Sequence, residues 1–536
     1  SSIGDSLMGA IEVLNEVRRT RNVQFGDYQK AAAMDAEVML GTMVGPIPRY
    51  LYDEMDDAKL AEQVQQRYLA RRLQMSQRIV MDNRLLRYMD PEKVQDHWQD
   101  MWTGSPLQKL KHSNELAVTV VNWPRAIIEA LTGLLVGFKP SPYSYEVRPW
   151  NTEDDLAMLR SDLKEKYLNR WDREHRYELT LSDSAATMWA LGRCWKYVTW
   201  NDDSGQAEVV NAWPNTVASF WQSDQRTLES VTIATDMLPG EAAALWPDRK
   251  QEIAAAVQSP QRSAIYGNPM QELPATSWSL NSTVTVLAHW YRLAAIDPIT
   301  KQNKIGMATV LMNSSLQGTS MNAVTLDRMD GSQHSEKGPT KYPDVPLYCV
   351  PRFKTPGRPP DEAQGVLFDI APLVTQIDEV MAAAKDMLWR VIYPRYVFTN
   401  SAGRPPELVP DTSIFSLRTG QELKLLQDAL NTIPGEQILA HLEDLCITLP
   451  GLSRYFLGQA PPSETSGAAM SAAINASITR LQSTRTEWQN AEVWQYQMIV
   501  GLGIAYGRYK GDGRDYDLST MLRNDDDIVI RWADVN

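Results

Sequence analysis

The order of patterns along this 536-residue chain predicts an α+β fold dominated by helices. Helix-spaced apolar residues fill most of residues 1–192 and return after 368, while two-residue alternation rich in β-branched and aromatic residues occupies about 193–312. Residues 459–510, QAPPSETSGAAMSAAINASITRLQSTRTEWQNAEVWQYQMIVGLGIAYGRYK, then run from a Pro/Ser/Thr/Gly loop into one unbroken helical pattern. A helix of about 40 residues is roughly 60 Å long at about 1.5 Å per residue, several times the usual globular length. Such an element needs a large body around it.

The elements follow in order. Strong helix formers with apolar spacing run through AKLAEQVQQRYLARRLQMSQRIVMDNRLLRYM, and Gly45, Pro46 and Pro48 break the pattern before it. NELAVTVVNWPRAIIEALTGLLVG is a second helical block ending at Gly137, ahead of a Pro-bounded strand, YSYEVRPW. LAMLRSDLKEKYLNRWDREHRYELTLSDSAATMWALG is helical again, closed by Gly192. The period then changes: RCWKYVTWND, QAEVVNAW, TVASFWQ, ESVTIATD, STVTVLAHWYRL and KIGMATVLMN predict antiparallel strands, with DDSG turning the first pair and a helix inserted at EAAALW. Residues 313–366, rich in Ser, Gly, Pro and Asp, are expected as loops. A helix over 369–391, a strand-turn segment (YPRYVFTN, SAGRPPELVPDTS, IFSLRTG), a helix over 436–449, the Pro/Ser loop and the long helix come next, and DDDIVIRWADVN closes as a strand.

In the loop, Pro461 and Pro462 cannot continue a preceding helix, the hydroxyls of Ser463, Thr465 and Ser466 suit an N-terminus, and Gly467 lets the chain turn. Ala468, Ala469, Ser471, Ala472, Ala473 and Ala476 permit close approach of another backbone, while Met470, Ile474, Ile478, Leu481 and Trp488 form an apolar stripe.

Composition narrows the function. Hydrophobic content of 43% and charged content of 22% fit a globular protein with room for two to four domains. The apolar stretch 126–138 contains Glu129 and is too short to span a bilayer, so no membrane anchor is expected. The N-terminal residues carry no secretory pattern. Cys194, Cys349 and Cys446, odd in number and scattered, suit reduced thiols in a cytoplasmic product. A net charge of -13 disfavours a tight grip on phosphate but is compatible with a surface past which DNA slides, or simply with solubility.

Catalytic signatures are lacking. There is no G-x-x-x-x-G-K-[ST], no G-x-S-x-G and no G-x-G-x-x-G; GSQHSEKG at 331–338 has the wrong spacing for a phosphate cradle, and GLGIAYG at 501–507 lies inside a helical pattern. His97, His112, His175, His289, His334 and His441 stand alone. Asp56–Asp57, Asp154–Asp155, Asp202–Asp203 and 525–527 sit at helix starts or turns, where carboxylates cap or solvate. No catalytic residue, metal ligand or cofactor is expected. Seventeen tryptophans raise a carbohydrate-active enzyme as an alternative, but Trp123, Trp189, Trp195, Trp213, Trp290 and Trp488 lie in core-like patterns, and a glycosidase needs two carboxylates converging on one cleft.

From VPLYCVPRF through DIAPLVTQIDEVMAAAKDML, the small β module and GLSRYFLGQAPPSETSGAAMSAAINASI, the succession resembles the portal (head-tail connector) proteins of tailed double-stranded DNA bacteriophages. NELAVTVVNWPRAIIEALTGLLVG is similar to that family's first wing segment, and the resemblance covers roughly residues 100–536. It implies a wing at 1–368, a first stem helix at 369–392, a clip at 393–430, a second stem helix at 431–450, a tunnel-loop region at 451–466, and a long kinked wing helix with a closing strand at 467–536. Family members often continue into a helical crown, so the resemblance implies either a minimal crown or a chain truncated before it.

The resemblance further implies a homo-oligomeric ring, usually of twelve copies, forming a channel at one capsid vertex for packaging and ejection of double-stranded DNA. Its partners would be terminase, major capsid and scaffolding proteins, and adaptor or tail proteins, with no membrane and no enzymatic role. It would reside in the virion after assembly in the host cytoplasm. Gln459, Ser463, Glu464, Thr465 and Ser466 would face DNA without cationic grip, and Ala468, Ala472 and Ala476 would pack between subunits. Lys385, Arg390, Arg395, Arg404 and Arg418 are basic candidates in the stem and clip, for phosphate or for salt bridges. Another virion ring protein, such as an adaptor, is the nearer alternative.

Overall fold

The computed structural model describes residues 45–89, 122–136, 143–256, 283–297, 302–312, 323–353, 357–392, 396–399, 422–425, 433–453, 457, 467–506, 508–511, 514–517 and 527–532. Among these the fold is α+β.

A short helix α1 (Leu51–Glu54) precedes α2 (Asp57–Gln74) and α3 (Ser76–Leu86). The Asp56 carboxylate caps α2 by accepting from the Lys59 N–H. After α4 (Trp123–Val136) and β1 (Tyr143–Arg148), α5 (Asp155–His175) is capped by Asp154, which accepts from the Leu156 N–H. The single helical stretch expected up to Gly192 is in fact two. Arg176 adopts a left-handed backbone (φ 46°), ending α5 and starting α6 (Tyr177–Leu191). No glycine marks the break, so the pattern runs through it.

The strands β2 (Arg193–Asn201), β3 (Gln206–Ala212), β4 (Val217–Trp221) and β5 (Leu228–Met237) follow. Two short helices, α7 (Pro239–Leu245) and α8 (Lys250–Ala255), precede β6 (Val284–Ile296) and β7 (Asn303–Leu311). The expectation of loops throughout 313–366 is corrected by β8 (Val324–Met329) and β9 (Leu347–Pro351). Both are short and flanked by Ser, Gly and Pro; β8 is fixed by pairing with the preceding strand β7, and β9 by pairing with β2, about 150 residues earlier.

The remaining elements are α9 (Val366–Ile392), β10 (Tyr396–Thr399), β11 (Glu422–Leu425), α10 (Ile433–Thr448) and α11 (Gly467–Tyr506, 40 residues), then β12 (Arg508–Gly511), β13 (Arg514–Asp517) and β14 (Asp527–Trp532). The segments SAGRPPELVPDTS and IFSLRTG lie outside the described residues. The second strand of the module is Glu422–Leu425, antiparallel to β10.

The chain divides into two compact units. The first takes Ser1–Leu86, Ile128–Phe368 and Pro461–Asn536. It holds an antiparallel sheet in the order β4-β5-β6-β7-β8 and a smaller sheet, β3-β2-β9. Alternation in β6 sorts the core: Leu287, Tyr291 and Leu293 pack with Tyr52, Leu60, Val64 and Tyr68 from the N-terminal helices. Trp290 faces the other way, into a cluster with Val231, Ile305, Trp195, Leu347 and Cys349 that joins the two sheets. β14 closes against β1, antiparallel, with Val147 opposite Ile528.

The second unit takes Arg87–Ile127 and Asp369–Ala460. Its described parts include a 3-10 turn at Arg87–Met89, the start of α4 up to Ile127, most of α9, the β10–β11 pair and α10. Ile370, Val374 and Ile377 on α9 are buried, as are Cys446 and Ile447 on α10, and the Tyr88 hydroxyl lies 3.0 Å from Thr375 Oγ1.

Candidate functional site

The long helix α11 changes character along its length. Its later turns carry Trp488, Ala491, Glu492, Gln495, Tyr496, Ile499, Val500 and Leu502, all fully buried at i, i+3 and i+4 spacing within the first unit. Its earlier turns expose Ala472, Asn475, Ala476, Thr479 and Arg480, while Ser477 and Leu481 face inward and Ile474 and Ile478 are half-buried.

The buried end is held by polar groups as well as apolar ones. On β2, alternation sends Trp195 into the inter-sheet core and Lys196 to the opposite face, toward α11. The Lys196 ammonium donates to Glu492 Oε1, to the Tyr177 hydroxyl at 2.7 Å and to Gln495 Oε1 at 3.2 Å, and its Nζ sits 4.8 Å from the Trp488 ring centroid. The Tyr177 oxygen is 2.7 Å from Gln495 Oε1 and 3.1 Å from each Glu492 oxygen. Burial, with the Glu492 carboxylate beside it, holds the Tyr177 phenol well above its ordinary value.

A second carboxyl, Asp172 on α5, lies 3.1 Å through both oxygens from the Tyr496 hydroxyl. Burial pushes it up to about 7; the charges of Glu492 and Glu178 add to the effect, and the Tyr496 hydrogen bond and Lys196 oppose it. Three further bonds fix α11: Thr484 Oγ1 donates to the Arg352 carbonyl (2.7 Å), Arg485 Nη2 to the Leu134 carbonyl (2.9 Å), and Gln489 Nε2 to the Ile530 carbonyl (3.2 Å). Chemically, this is a seat whose charges are spent internally, carrying a strut on whose earlier turns the described exposed side chains up to Thr479 are uncharged: Ala472, Asn475, Ala476 and Thr479.

The residues singled out from sequence fall as follows. Ala472 and Ala476 lie one turn apart on the exposed face of α11. Ala468 is in its first turn; its side chain, like the loop residues Gln459, Ser463, Glu464, Thr465 and Ser466, lies outside the described residues. Lys385 and Arg390 belong to α9, with side chains outside the described set, and Arg395, Arg404 and Arg418 lie outside it altogether. The residues that anchor the strut, Lys196, Tyr177, Glu492 and Gln495, carried one faint signal: a lysine, an acid and an amide inside otherwise apolar strand and helix faces.

Among the acidic groups, Asp57 Oδ1 accepts from Arg328 Nη1 at 3.2 Å, and positions 525–526 lie outside the described residues. Asp56 and Asp154 cap helices, and Asp203 donates its N–H to Asn201 Oδ1 in the β2–β3 turn. His289 is buried between Tyr52 and Thr232, His175 Nδ1 meets the Trp171 carbonyl, and His97 and His112 lie outside the described residues. Trp189, Trp195, Trp290 and Trp488 are buried, whereas Trp123 and Trp213 are half-buried. The three cysteines are buried and unbonded.

Among the described residues no group of His, Cys, Asp and Glu is arranged to hold a metal, and no helix is long and apolar enough to cross a membrane. A recess of about 220 Å³ is walled by Arg71, Trp221, Gln222, Gln225, Pro46 and Pro359, with no carboxylate among its described lining residues. Arg71 there is paired with Asp361 (2.9 Å), which also accepts from Ser219 and Trp221. No protein-family model matches the chain, and no curated protein matches it.

Proposed function

We propose that this chain is the subunit of a portal-like ring, a conduit for double-stranded DNA at one vertex of a phage capsid. The observation that carries the reading is the division of α11. Its later turns are immobilised in the core of the first unit, while its earlier turns, which follow the Pro/Ser loop, expose Ala472 and Ala476.

In a closed ring each subunit makes the same head-to-tail contact with the next, so the contact must be close and repeatable. Small side chains at one end of a rigid helix suit it. The loop 459–466, which contains no Lys or Arg, would line the channel and let DNA slide. The order helix, two-stranded module, helix, loop and long helix supports the stem, clip and tunnel-loop assignment. Terminase, capsid and scaffolding proteins, and adaptor or tail proteins are the partners this reading entails, with about twelve copies as the ring size by family resemblance.

The experiment is to purify the chain, weigh it by mass photometry and image it in negative stain. Annular particles with a central channel are expected. A compact monomer at every concentration defeats the reading.

A further inference from the structure

The seat of α11 contains a carboxyl group whose surroundings do not suit a negative charge. Asp172 lies on the last turns of α5 where that helix meets α11. Its two oxygens share one hydroxyl, that of Tyr496, which can give only one hydrogen bond. Among the described residues no lysine or arginine forms an ion pair with it.

The groups that act on it come from several elements. Tyr496 on α11 is in contact with it, and the charges of Glu492 on α11, Glu178 on α6 and Lys196 on β2 reach it. Tyr145 approaches from β1; its ring packs on Tyr496 at 4.8 Å between centroids, its hydroxyl is buried without a hydrogen-bond partner, and Glu165 and Arg173 on α5 act on it as well. Lys196, the cation that acts on Asp172 among the described residues, is already held by Glu492. An ionised Asp172 therefore adds a charge to a site with two acids and one committed base. A protonated Asp172 adds none.

We propose that the seat of α11 is a proton-dependent latch, closed while the Asp172 carboxyl carries its proton and loosened when it ionises. This inference does not depend on the ring reading, since every group in it belongs to one chain.

The sign of the effect is unusual. Burial and the neighbouring acids place Asp172 at about 7 in the closed seat, well above the ordinary carboxylate value that it regains when the seat opens. The closed form thus binds the proton more tightly. Its advantage is full at low pH, is lost as pH rises toward 7, and stays level above that.

The test is hydrogen exchange of the full chain across residues 488–500, corrected for the intrinsic pH dependence of amide exchange. Protection should fall between pH 5 and pH 7, by at most about tenfold per pH unit, and level off above. Asp172→Asn should abolish that slope. Tyr496→Phe removes the one hydrogen bond that favours the ionised form and should move the levelling-off to higher pH. Protection that is flat or rising from pH 5 to 7, or an Asp172→Asn variant that keeps the wild-type slope, overturns the proposal. Should Asp172→Asn fail to fold, Tyr496→Phe decides alone, and an unmoved levelling-off overturns it.

Discussion

Lys196 and Glu492 form an ion pair across 296 residues of sequence, joining β2 to the middle of α11 with side-chain exposures of 1% and 0%. Removing one partner leaves the other charge buried, and such losses cost about 3–5 kcal/mol. Lys196→Met and Glu492→Leu should each destabilise the first unit by about that amount in urea unfolding. The double variant should recover much of the loss, because an apolar pair of similar volume needs no desolvation of charge. A double variant as weak as the sum of the singles would mean that Tyr177 and Gln495, not the pair, set the cost.

The turn from α6 into β2 depends on two glycines. A Cβ on Gly192 would stand 2.3 Å from the Gln364 carbonyl carbon, and one on Gly365 would stand 2.0 Å from the Ala190 oxygen. Gly192 also has φ +86°. Backbone cannot yield as a flexible side chain does, so Gly365→Ala and Gly192→Ala should each cost about 1–3 kcal/mol or more, read as a lower melting temperature. Gly240 in α7 has nothing within 4 Å, and Gly240→Ala should be neutral or stabilising by up to about 1 kcal/mol.

His289 gives a pH dependence opposite to that of Asp172. It is buried, with Nε2 at 3.1 Å from the Tyr52 hydroxyl and Nδ1 at 2.8 Å from Thr232 Oγ1; burial, aided by the Arg67 charge, pushes it down to about 3. Its folded value lies below the unfolded one of about 6.5, so the stability it contributes is complete above that pH and is lost as pH falls toward 3. The unfolding free energy from urea titrations should drop below pH 6 by on the order of 1 kcal/mol per pH unit, and His289→Gln should reduce that slope. An unchanged slope would assign acid sensitivity to other groups.

What the sequence makes legible is local. Asp56 and Asp154 announce helix starts, Gly192 a helix stop, and Pro461–Pro462 with Gly467 the start of α11, because each acts on backbone within a few residues. The division of α5 from α6 at Arg176 is not legible, since a non-glycine residue in left-handed backbone carries no sequence mark. The strands β8 and β9 are short runs among Ser, Gly and Pro, and β9 in addition is fixed by a partner, β2, about 150 residues away. The exposed position of Ala472 and Ala476 follows from helical spacing alone. The seat does not: a lysine in an alternating strand looks the same whether it meets water or, as Lys196 does, a glutamate 296 residues away.

The ring reading makes its sharpest demand on Ala476. That residue is exposed on α11, so Ala476→Arg changes no packing within the chain and should alter its stability by no more than about 0.5 kcal/mol. In a ring the same arginine would enter every subunit contact at once, bringing bulk where a backbone must approach and a like charge at each repeat. Mass photometry should then show the assembly reduced to small species while the circular dichroism spectrum stays that of the wild type. Gln497→Arg is the control, being exposed on the same helix but beside the seat, about six turns further along; it should leave the assembly intact. Rings that form normally with Ala476→Arg would remove the small-residue contact from the proposal. Equal loss of rings with Gln497→Arg would show that any added positive charge on α11 is enough, and that the contact is not at its first turns.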